Sequence, residues 1–273
     1  MYPPHFVVSL AVLAVAAAPA VLAQKLKPEE LVKQHVDRTF GSAAAATSGR
    51  DVRGSCHTTT TTMGAGRLDG PFTFSSAADA SKFVLRFDLE VYEGEEFSFD
   101  GKDVQIAFAQ PRTSMRSAMG LFLSLNRVVI REGLFGGALN RRWPLLHLAG
   151  REAKLSYDGI KKFEGADRHR VRYRARRDQA DLSILLYFEP ETFRHIASVY
   201  ESSRAQGMGL TMEQSSQLTE QRFRLQETFA DFETRDGLTL PKTWVIRYDR
   251  MGDTTTEWKY ECKVQSIAAV GTL

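Results

Sequence analysis

The sequence predicts an α+β protein that is mostly antiparallel β-sheet, curved or partly closed into a barrel, with short helices covering the concave face. Two observations predict the sheet: apolar and polar residues alternate with a period of two in many segments, and turn-forming dipeptides separate these segments. A third observation predicts the helices, because apolar residues between positions 113 and 140 recur at helical spacing instead. Few other helical segments lie between the strands, which argues against a βαβ fold.

The composition is that of an ordinary globular protein. Hydrophobic residues make up 43% and charged residues 25% of the 273 positions, which excludes global disorder and a fibrous repeat. Lys and Arg outnumber Asp and Glu by 36 to 33, and this small excess gives no reason to expect nucleic acid as a partner. Only the N-terminus has a long uncharged stretch, so a polytopic membrane protein is excluded.

The N-terminus has the features of a secretory signal peptide. Residues 1–23 contain no Lys, Arg, Asp or Glu, and residues 6–18 are almost all apolar. Pro19 interrupts this run before the roughly 20 apolar residues that a spanning helix needs. We therefore expect cleavage near Ala23, export, and a mature chain of residues 24–273 forming a single domain. A membrane anchor is the alternative, and the first residues lack the usual Lys or Arg.

The first element of the mature chain is predicted to be a short amphipathic helix. Pro28 lies in its first turn, where the missing N–H costs nothing, and two glutamates follow at the positive helix end. Apolar residues recur at helical spacing up to Phe40, and Gly41 ends the helix. Residues 42–54 are rich in Ala, Ser and Gly and predict a loop, after which a threonine run favours an extended backbone.

The alternating segments predict about nine to eleven strands in an antiparallel meander. Their predicted inward residues are Phe83, Leu85, Phe87, Leu89 and Val91; Phe97 and Phe99; Val104, Ile106 and Phe108; Leu155 and Tyr157; His169, Val171 and Tyr173; Leu182, Ile184, Leu186 and Phe188; Trp244, Ile246 and Tyr248; Trp258, Tyr260, Cys262 and Val264. The predicted hairpin turns are Glu93-Gly94, Asp100-Gly101, Asp158-Gly159, Glu164-Gly165, Asp236-Gly237 and Gly252-Asp253.

The helical interruption at 113–140 is apolar on nearly all sides, so it must be covered by other parts of the protein. Gly120, Gly133, Gly136 and Gly137 divide it into short pieces. We expect a pair of short helices that plug or cover the concave side of the sheet. The alternative is a core helix that never moves.

The sequence lacks recognisable catalytic motifs. It has no Gly-x-Ser-x-Gly elbow, His-Glu-x-x-His helix, Walker loop or Gly-x-Gly-x-x-Gly turn after a strand, and its six histidines form no pair at the spacing of metal ligands on a helix. We therefore expect a non-enzymatic protein without a cofactor or metal. A secreted hydrolase is a remote alternative, since its nucleophile signature is missing.

Cys56 and Cys262 are the only cysteines, and an exported compartment would permit a disulfide between them. Such a bridge would close a loop of some two hundred residues and constrain the unfolded chain by about 4 to 5 kcal/mol. Two separate buried thiols are the alternative, and the sequence leaves both open.

Residues 168–177 carry the densest charge of the chain. Strand alternation places Arg168, Arg170, Arg172, Arg174 and Arg176 on one face. We expect this stripe either to pair across strands with an acidic face, such as that of Asp88 and Glu90, or to contact anionic lipid headgroups.

The order of features resembles the LolA-like outer-membrane lipoprotein-sorting proteins. The signal peptide, a short helix ending in Phe40-Gly41, hairpin strands and the apolar helical insert occur in the same order. The motifs that carry the resemblance are Phe97-Ser-Phe-Asp-Gly-Lys102, Leu185-Leu-Tyr-Phe-Glu-Pro-Glu-Thr192 and Gly237-Leu-Thr-Leu-Pro-Lys-Thr-Trp244. The resemblance implies a half-open antiparallel barrel with helices on its concave side and an apolar cavity for acyl chains. It also implies that the exported protein resides in the periplasm. Lipoprotein receptors and periplasmic sensors of envelope stress are related alternatives.

These observations lead us to expect a monomeric carrier that binds a lipid or an acylated lipoprotein, with a membrane protein as donor or acceptor. The expected cavity wall consists of Phe87, Phe97, Phe99, Ile106 and Phe108, and the expected lid of Leu121, Phe122, Leu134 and Phe135. Plain core packing is the alternative for all of them. A protein-interaction module on the same barrel is the alternative function.

Overall fold

A computed structural model describes residues 26–41, 48–60, 68–90, 92–108, 116–176, 181–204, 221–251 and 256–270. The expected signal peptide and the Gly252-Asp253 turn lie outside these residues. Within the described residues, no helix is both long and apolar enough to cross a membrane.

Helix α1 spans Pro28–Phe40 and confirms the first predicted element. Leu31, Val32 and Phe40 are buried on its inner face. Gly41 follows with φ at +53°, a conformation that favours glycine. A Cβ at this position would lie 2.8 Å from the Gly237 carbonyl oxygen, so the helix end approaches a strand turn closely.

The described strands form one twelve-stranded antiparallel sheet in the order β5-β4-β3-β2-β1-β12-β11-β10-β9-β8-β7-β6. The strands are β1 (Gly49–Thr60), β2 (Leu68–Ser76), β3 (Phe83–Leu89), β4 (Tyr92–Phe99), β5 (Val104–Phe108), β6 (Lys154–Phe163), β7 (Ala166–Arg174), β8 (Leu182–Phe188), β9 (His195–Arg204), β10 (Gln221–Arg235), β11 (Leu238–Met251) and β12 (Thr256–Val270). This open curved sheet with few short helices confirms the predicted fold class, a half-open barrel.

Strands β5 and β6 lie at opposite edges of the sheet although they follow each other along the chain. The connection between them must therefore cross the sheet. Residues 116–150 of this connection are called the insert here. They form helices α2 (Ala118–Leu125) and α3 (Val128–Arg131) and two 3-10 helices, Gly137–Leu139 and Pro144–Gly150. The predicted pair of short helices is confirmed.

The predicted loop at 42–54 is wrong in its second half, because β1 begins at Gly49. Arg50 and Val52 are buried, and β1 pairs with β2 on one side and β12 on the other. Two-sided pairing stabilises this backbone in spite of its small polar residues. Strands β2, β9 and β10 were not predicted. Pro71 in β2, the serines of β9 and an irregularity at Asp231 of β10, with φ at +53°, mask their alternation.

Two predicted hairpin turns are bulges within strands. Gly94 lies inside β4 and Gly159 inside β6, both with positive φ and both beside register shifts. A bulge and a turn can both place glycine at positive φ, so the dipeptide alone does not distinguish them. Asp100-Gly101, Glu164-Gly165 and Asp236-Gly237 do connect consecutive strands, as predicted.

Cys56 and Cys262 form a disulfide with a sequence separation of 206. They face each other across the β1–β12 pair, which joins the N-terminal and C-terminal parts of the sheet. Of the two alternatives left open by the sequence, the structure contains the bridge.

Candidate functional site

The inner face of the central strands is an aromatic surface. Phe87 of β3 contacts Phe97 of β4 and Tyr260 of β12, with ring centroids 6.3 Å apart in each pair. Phe72 of β2 meets Trp244 of β11 edge-on at 5.8 Å. The strand register places these rings on one side. Phe72 lies opposite Phe87, for example, and directly paired residues of antiparallel strands share a face.

The insert covers this aromatic surface. Phe135 packs against Phe97 and Trp244, with ring centroids 6.2 Å and 5.3 Å apart. Phe122 of α2 packs edge-on against Tyr248 of β11 at 6.2 Å. The underside of the insert and the sheet thus form one apolar interface.

The structure brings most of the expected wall and lid residues together. Phe87, Phe97, Phe99, Phe122, Leu134 and Phe135 are all buried in one core, and Ile106 is half-buried against it. Leu121 is 48% exposed on the outer side of α2, so it does not face the sheet. The Phe108 side chain lies outside the described part of the structure.

The interior is closed in this structure. Phe87, Phe97, Leu134 and Phe135 have no surface that a water molecule can reach. These side chains therefore border neither solvent nor a water-sized cavity, and the two sides pack directly. An acyl chain could reach them only after the insert moves.

A buried carboxylate of β4 fastens the start of α2. Glu95 accepts hydrogen bonds from the Ser117 hydroxyl at 2.6 Å and the Ser117 backbone N–H at 3.2 Å. Ser117 is the N-cap of α2, and its hydroxyl oxygen accepts the Gly120 N–H. Burial raises the pKa of Glu95 to about 7, while the Ser117 bonds oppose that shift.

A second buried carboxylate holds the middle of the insert. Glu227 of β10 accepts hydrogen bonds from the Gly136 backbone N–H at 2.7 Å, the Tyr200 hydroxyl at 2.8 Å and Trp244 Nε1–H at 2.9 Å. Burial raises the pKa of Glu227 to about 8, against the effect of these three donors.

A third attachment lies where the insert approaches β7. The Tyr173 hydroxyl donates to Glu132 of the insert at 2.8 Å, and Arg151 forms an ion pair with the same carboxylate at 3.3 Å. Arg142 lies over the Phe99 ring at 4.1 Å and donates to the Arg131 carbonyl. The insert is thus held to the sheet by polar contacts at Ser117, Glu132 and Gly136.

Sequence reasoning missed these carboxylates. Their signal was present, because Glu95 shares a face with Phe97 and Phe99, and Glu227 with Leu225 and Phe229. An acidic residue at an inward position of an alternating strand marks a buried polar partner.

The buried histidines are packing residues within the described structure. His35 of α1 accepts Trp143 Nε1–H at 3.3 Å, while its Nδ1 lies 3.1 Å from the Phe193 carbonyl oxygen. Burial lowers the pKa of His35 to about 4, so the ring is neutral. The His195 ring packs against that of Trp143 with ring centroids 4.6 Å apart. No group of three or more His, Cys, Asp or Glu side chains in the described residues is placed to hold a metal ion.

The arginine stripe pairs across strands, but not with the acidic partners suggested above. Arg170 and Arg172 of β7 form ion pairs with Asp158 of β6, at 3.1 Å and 3.4 Å. Asp88 pairs instead with Arg86 on its own strand. The expected pairing with Asp88 and Glu90 is wrong because β3 and β7 lie far apart in the sheet.

Comparisons with known proteins support the architecture. No model of a protein family matches the sequence, and no curated protein matches it either. The crystal structure of a LolA superfamily protein from Nitrosomonas europaea is 9% identical with a TM-score of 0.50, covering 91% of this chain and 96% of that one. A putative outer membrane lipoprotein-sorting protein domain from Vibrio parahaemolyticus is 9% identical with a TM-score of 0.41, covering 88% and 91%. The chain has a LolA-like fold.

Proposed function

We propose that this chain is an exported, non-enzymatic carrier that shields an acyl group of a lipid or lipoprotein during transit through the periplasm. The observation that carries the proposal is the apolar interface between the aromatic face of the sheet and the insert. The LolA-like fold, shared with a LolA superfamily structure, supports the same function, because the sequence resembles the lipoprotein-sorting proteins of that kind.

The proposed mechanism exchanges one apolar partner for another. When the insert moves away, Phe97 and Phe135 lose contact with each other, and an acyl chain takes the place of the insert against the sheet. Each methylene removed from water contributes about 0.8 kcal/mol, so a long chain can offset the lost packing without any polar catalyst.

The proposed binding wall remains Phe87, Phe97, Phe99, Ile106 and Phe108, and the proposed lid is Phe122, Leu134 and Phe135. The three carboxylate attachments would set how readily the lid opens. Glu95 and Glu227 belong to the sheet and bind the insert through its hydroxyl and N–H groups. Breaking these hydrogen bonds leaves buried polar groups without partners, so opening the lid costs free energy. The cost is confined to the insert and the strand residues that bind it.

The test is purification of the mature chain from its own cell envelope under non-denaturing conditions, with mass spectrometry of an organic extract. A stoichiometric acyl species supports the carrier. A synthetic diacylated lipopeptide with a photoreactive acyl chain then locates the site, and crosslinks at Phe97 and Phe135 are expected. An empty protein that also fails to crosslink the lipopeptide rejects the carrier function.

A second candidate, a protein-interaction or sensor module, is favoured by the closed interior. The insert already fills the space that a lipid would occupy, and the interior residues are packed like an ordinary core. Chemical crosslinking in the cell envelope distinguishes the two functions. A protein partner recovered without any copurified lipid would favour the module.

A further inference from the structure

The sheet forks between β11 and β12. Their pairing runs from Arg250 opposite Thr256 to Thr243 opposite Lys263 and stops there. Beyond that point the start of β11 pairs only with β10, and the end of β12 pairs with β1. A cavity of about 160 Å³ is lined by residues of both diverging strands, and we call it the fork cavity.

The walls of the fork cavity are more apolar than polar, although Gln265 and Ser266 also line it. Leu238 and Leu240 line it from β11, and Ile267 and Ala268 from β12. Charged groups at its rim are paired with each other. Lys242 lies 3.5 Å from Glu233, and Arg235 lies 4.0 Å from Asp236. The rim therefore contributes little net charge.

Arg50 of β1 also lines the fork cavity and is only 2% exposed. One terminal nitrogen, Nη1, donates to the carbonyl oxygens of Ala138 and Leu139, at 2.5 Å and 3.4 Å. The other, Nη2, is buried without a hydrogen-bond partner. Among the described residues, no carboxylate forms an ion pair with Arg50.

A buried guanidinium without a counterion is costly, because desolvation disfavours the charged form. Burial lowers the pKa of Arg50 to about 9, and the nearby Arg141 adds to that shift. The group still carries its charge at neutral pH. Solvent does not reach Nη2 in this structure, so an anion must displace part of the cavity wall to contact it. Once there, it would supply both the missing acceptor and the missing charge.

We propose that the fork cavity binds the carboxylate headgroup of an acyl-chain amphiphile. The carboxylate pairs with Arg50, and the first methylenes pack against Leu240 and Ile267. The apolar walls favour an amphiphile over a small hydrophilic anion. None of the wall and lid residues proposed above lines this cavity, so it is a separate site, although Arg50 also contacts the insert through the Ala138 and Leu139 carbonyls.

Isothermal titration calorimetry with dodecanoate, dodecyl phosphate and dodecanol tests the proposal. All three carry the same tail, so a site that depends on Arg50 binds dodecanoate at least tenfold more tightly than dodecanol. Comparing the affinities for dodecyl phosphate and dodecanoate shows whether the site prefers a phosphate or a carboxylate headgroup. Binding under the insert is expected to depend on the tail and not on the headgroup, which separates the two sites.

Two variants test the role of Arg50. Arg50→Met retains the bulk and removes the charge, and is expected to weaken dodecanoate at least tenfold while leaving dodecanol unchanged. Ala269→Glu places a carboxylate on the residue opposite Arg50 in the β1–β12 pair, which is exposed. This internal anion is expected to abolish dodecanoate binding and raise the melting temperature. Arg235→Met, at the rim, is the matched control and should bind normally.

Several outcomes would overturn the proposal. Equal affinities for dodecanoate and dodecanol would do so, as would unchanged dodecanoate binding in Ala269→Glu. That variant keeps Arg50, so it remains informative if Arg50→Met does not fold. A short peptide with a free C-terminal carboxylate that displaces dodecanoate at lower concentration would assign the fork cavity to peptides instead.

Discussion

Glu227 of β10 accepts the backbone N–H of Gly136 in the insert at 2.7 Å, deep inside the protein. The two residues are 91 positions apart, and their bond joins the aromatic face of the sheet to the segment that covers it. Because the carboxylate is buried and its pKa is raised to about 8, the strength of this attachment depends on pH near neutrality.

The free energy of unfolding is expected to fall as the pH rises from about 6.5 to about 8. Burial raises the pKa of Glu227 to about 8 and that of Glu95 to about 7, whereas the pKa of a glutamate in the unfolded chain is about 4.3. Unfolding in this window therefore releases protons, and stability is lost with rising pH. Below about pH 6.5 buried His35, with its pKa lowered to about 4, acts in the opposite direction because unfolding takes up its proton.

Denaturant unfolding at several pH values checks this dependence. Glu227→Gln keeps the shape and cannot ionise, so its stability should decline less between neutral and alkaline pH. Glu96→Gln, beside Glu95 on the other face of β4, is the control and should retain the full slope. An identical slope in Glu227→Gln and the wild type would contradict the prediction.

Gly120→Ala is expected to disrupt the attachment of α2. The added Cβ would lie 1.9 Å from Glu95 Oε1, so the carboxylate must leave its bonds to Ser117. We expect a loss of about 1 to 3 kcal/mol in the free energy of unfolding. Gly150→Ala is the matched control, because a Cβ there meets nothing within 4 Å.

Hydrogen exchange measures the same variants locally. Amides of α2 should exchange faster in Gly120→Ala, while those of the central strands keep their protection. Equal exchange of α2 in both alanine variants would show that the Glu95 contact does not hold the insert.

Leu121 and Phe122 are neighbours with opposite environments, and their aspartate variants should differ accordingly. Phe122 is buried against Tyr248, so Phe122→Asp should cost at least about 3 kcal/mol. Leu121 is exposed, and Leu121→Asp should change stability by less than about 1 kcal/mol. Thermal unfolding of both aspartate variants under the same conditions tests this prediction. Similar losses in the two would mean that α2 is oriented differently.

Replacing Cys56 and Cys262 together by alanine is expected to lower the free energy of unfolding by about 5 kcal/mol, because the bridge closes a loop of 206 residues. Denaturant unfolding of the wild type under oxidising and reducing conditions provides the comparison. The reduced wild type should match the double variant. If reduction leaves the unfolding midpoint unchanged, the bridge contributes no stability.

Much of the local structure followed from the sequence. The alternation around Phe83, Phe97 and Trp244 identified inward faces correctly, since period-two patterning reports burial directly. The loss of that pattern after position 113 located the insert. Glycine dipeptides were ambiguous, as Gly94 and Gly159 show, because bulges and turns require the same backbone conformations.

The sequence by itself determined the local features of this protein: the cap residues of α1, the inward rings of the strands and the apolar insert. These depend on residues close along the chain. Only the tertiary structure decided which strands adjoin, and with that the Cys56–Cys262 bridge, the Asp158 partner of the arginines and the position of Glu227 beneath Gly136. These contacts join residues remote in sequence, and hydrophobic periodicity carries no information about which remote segments meet.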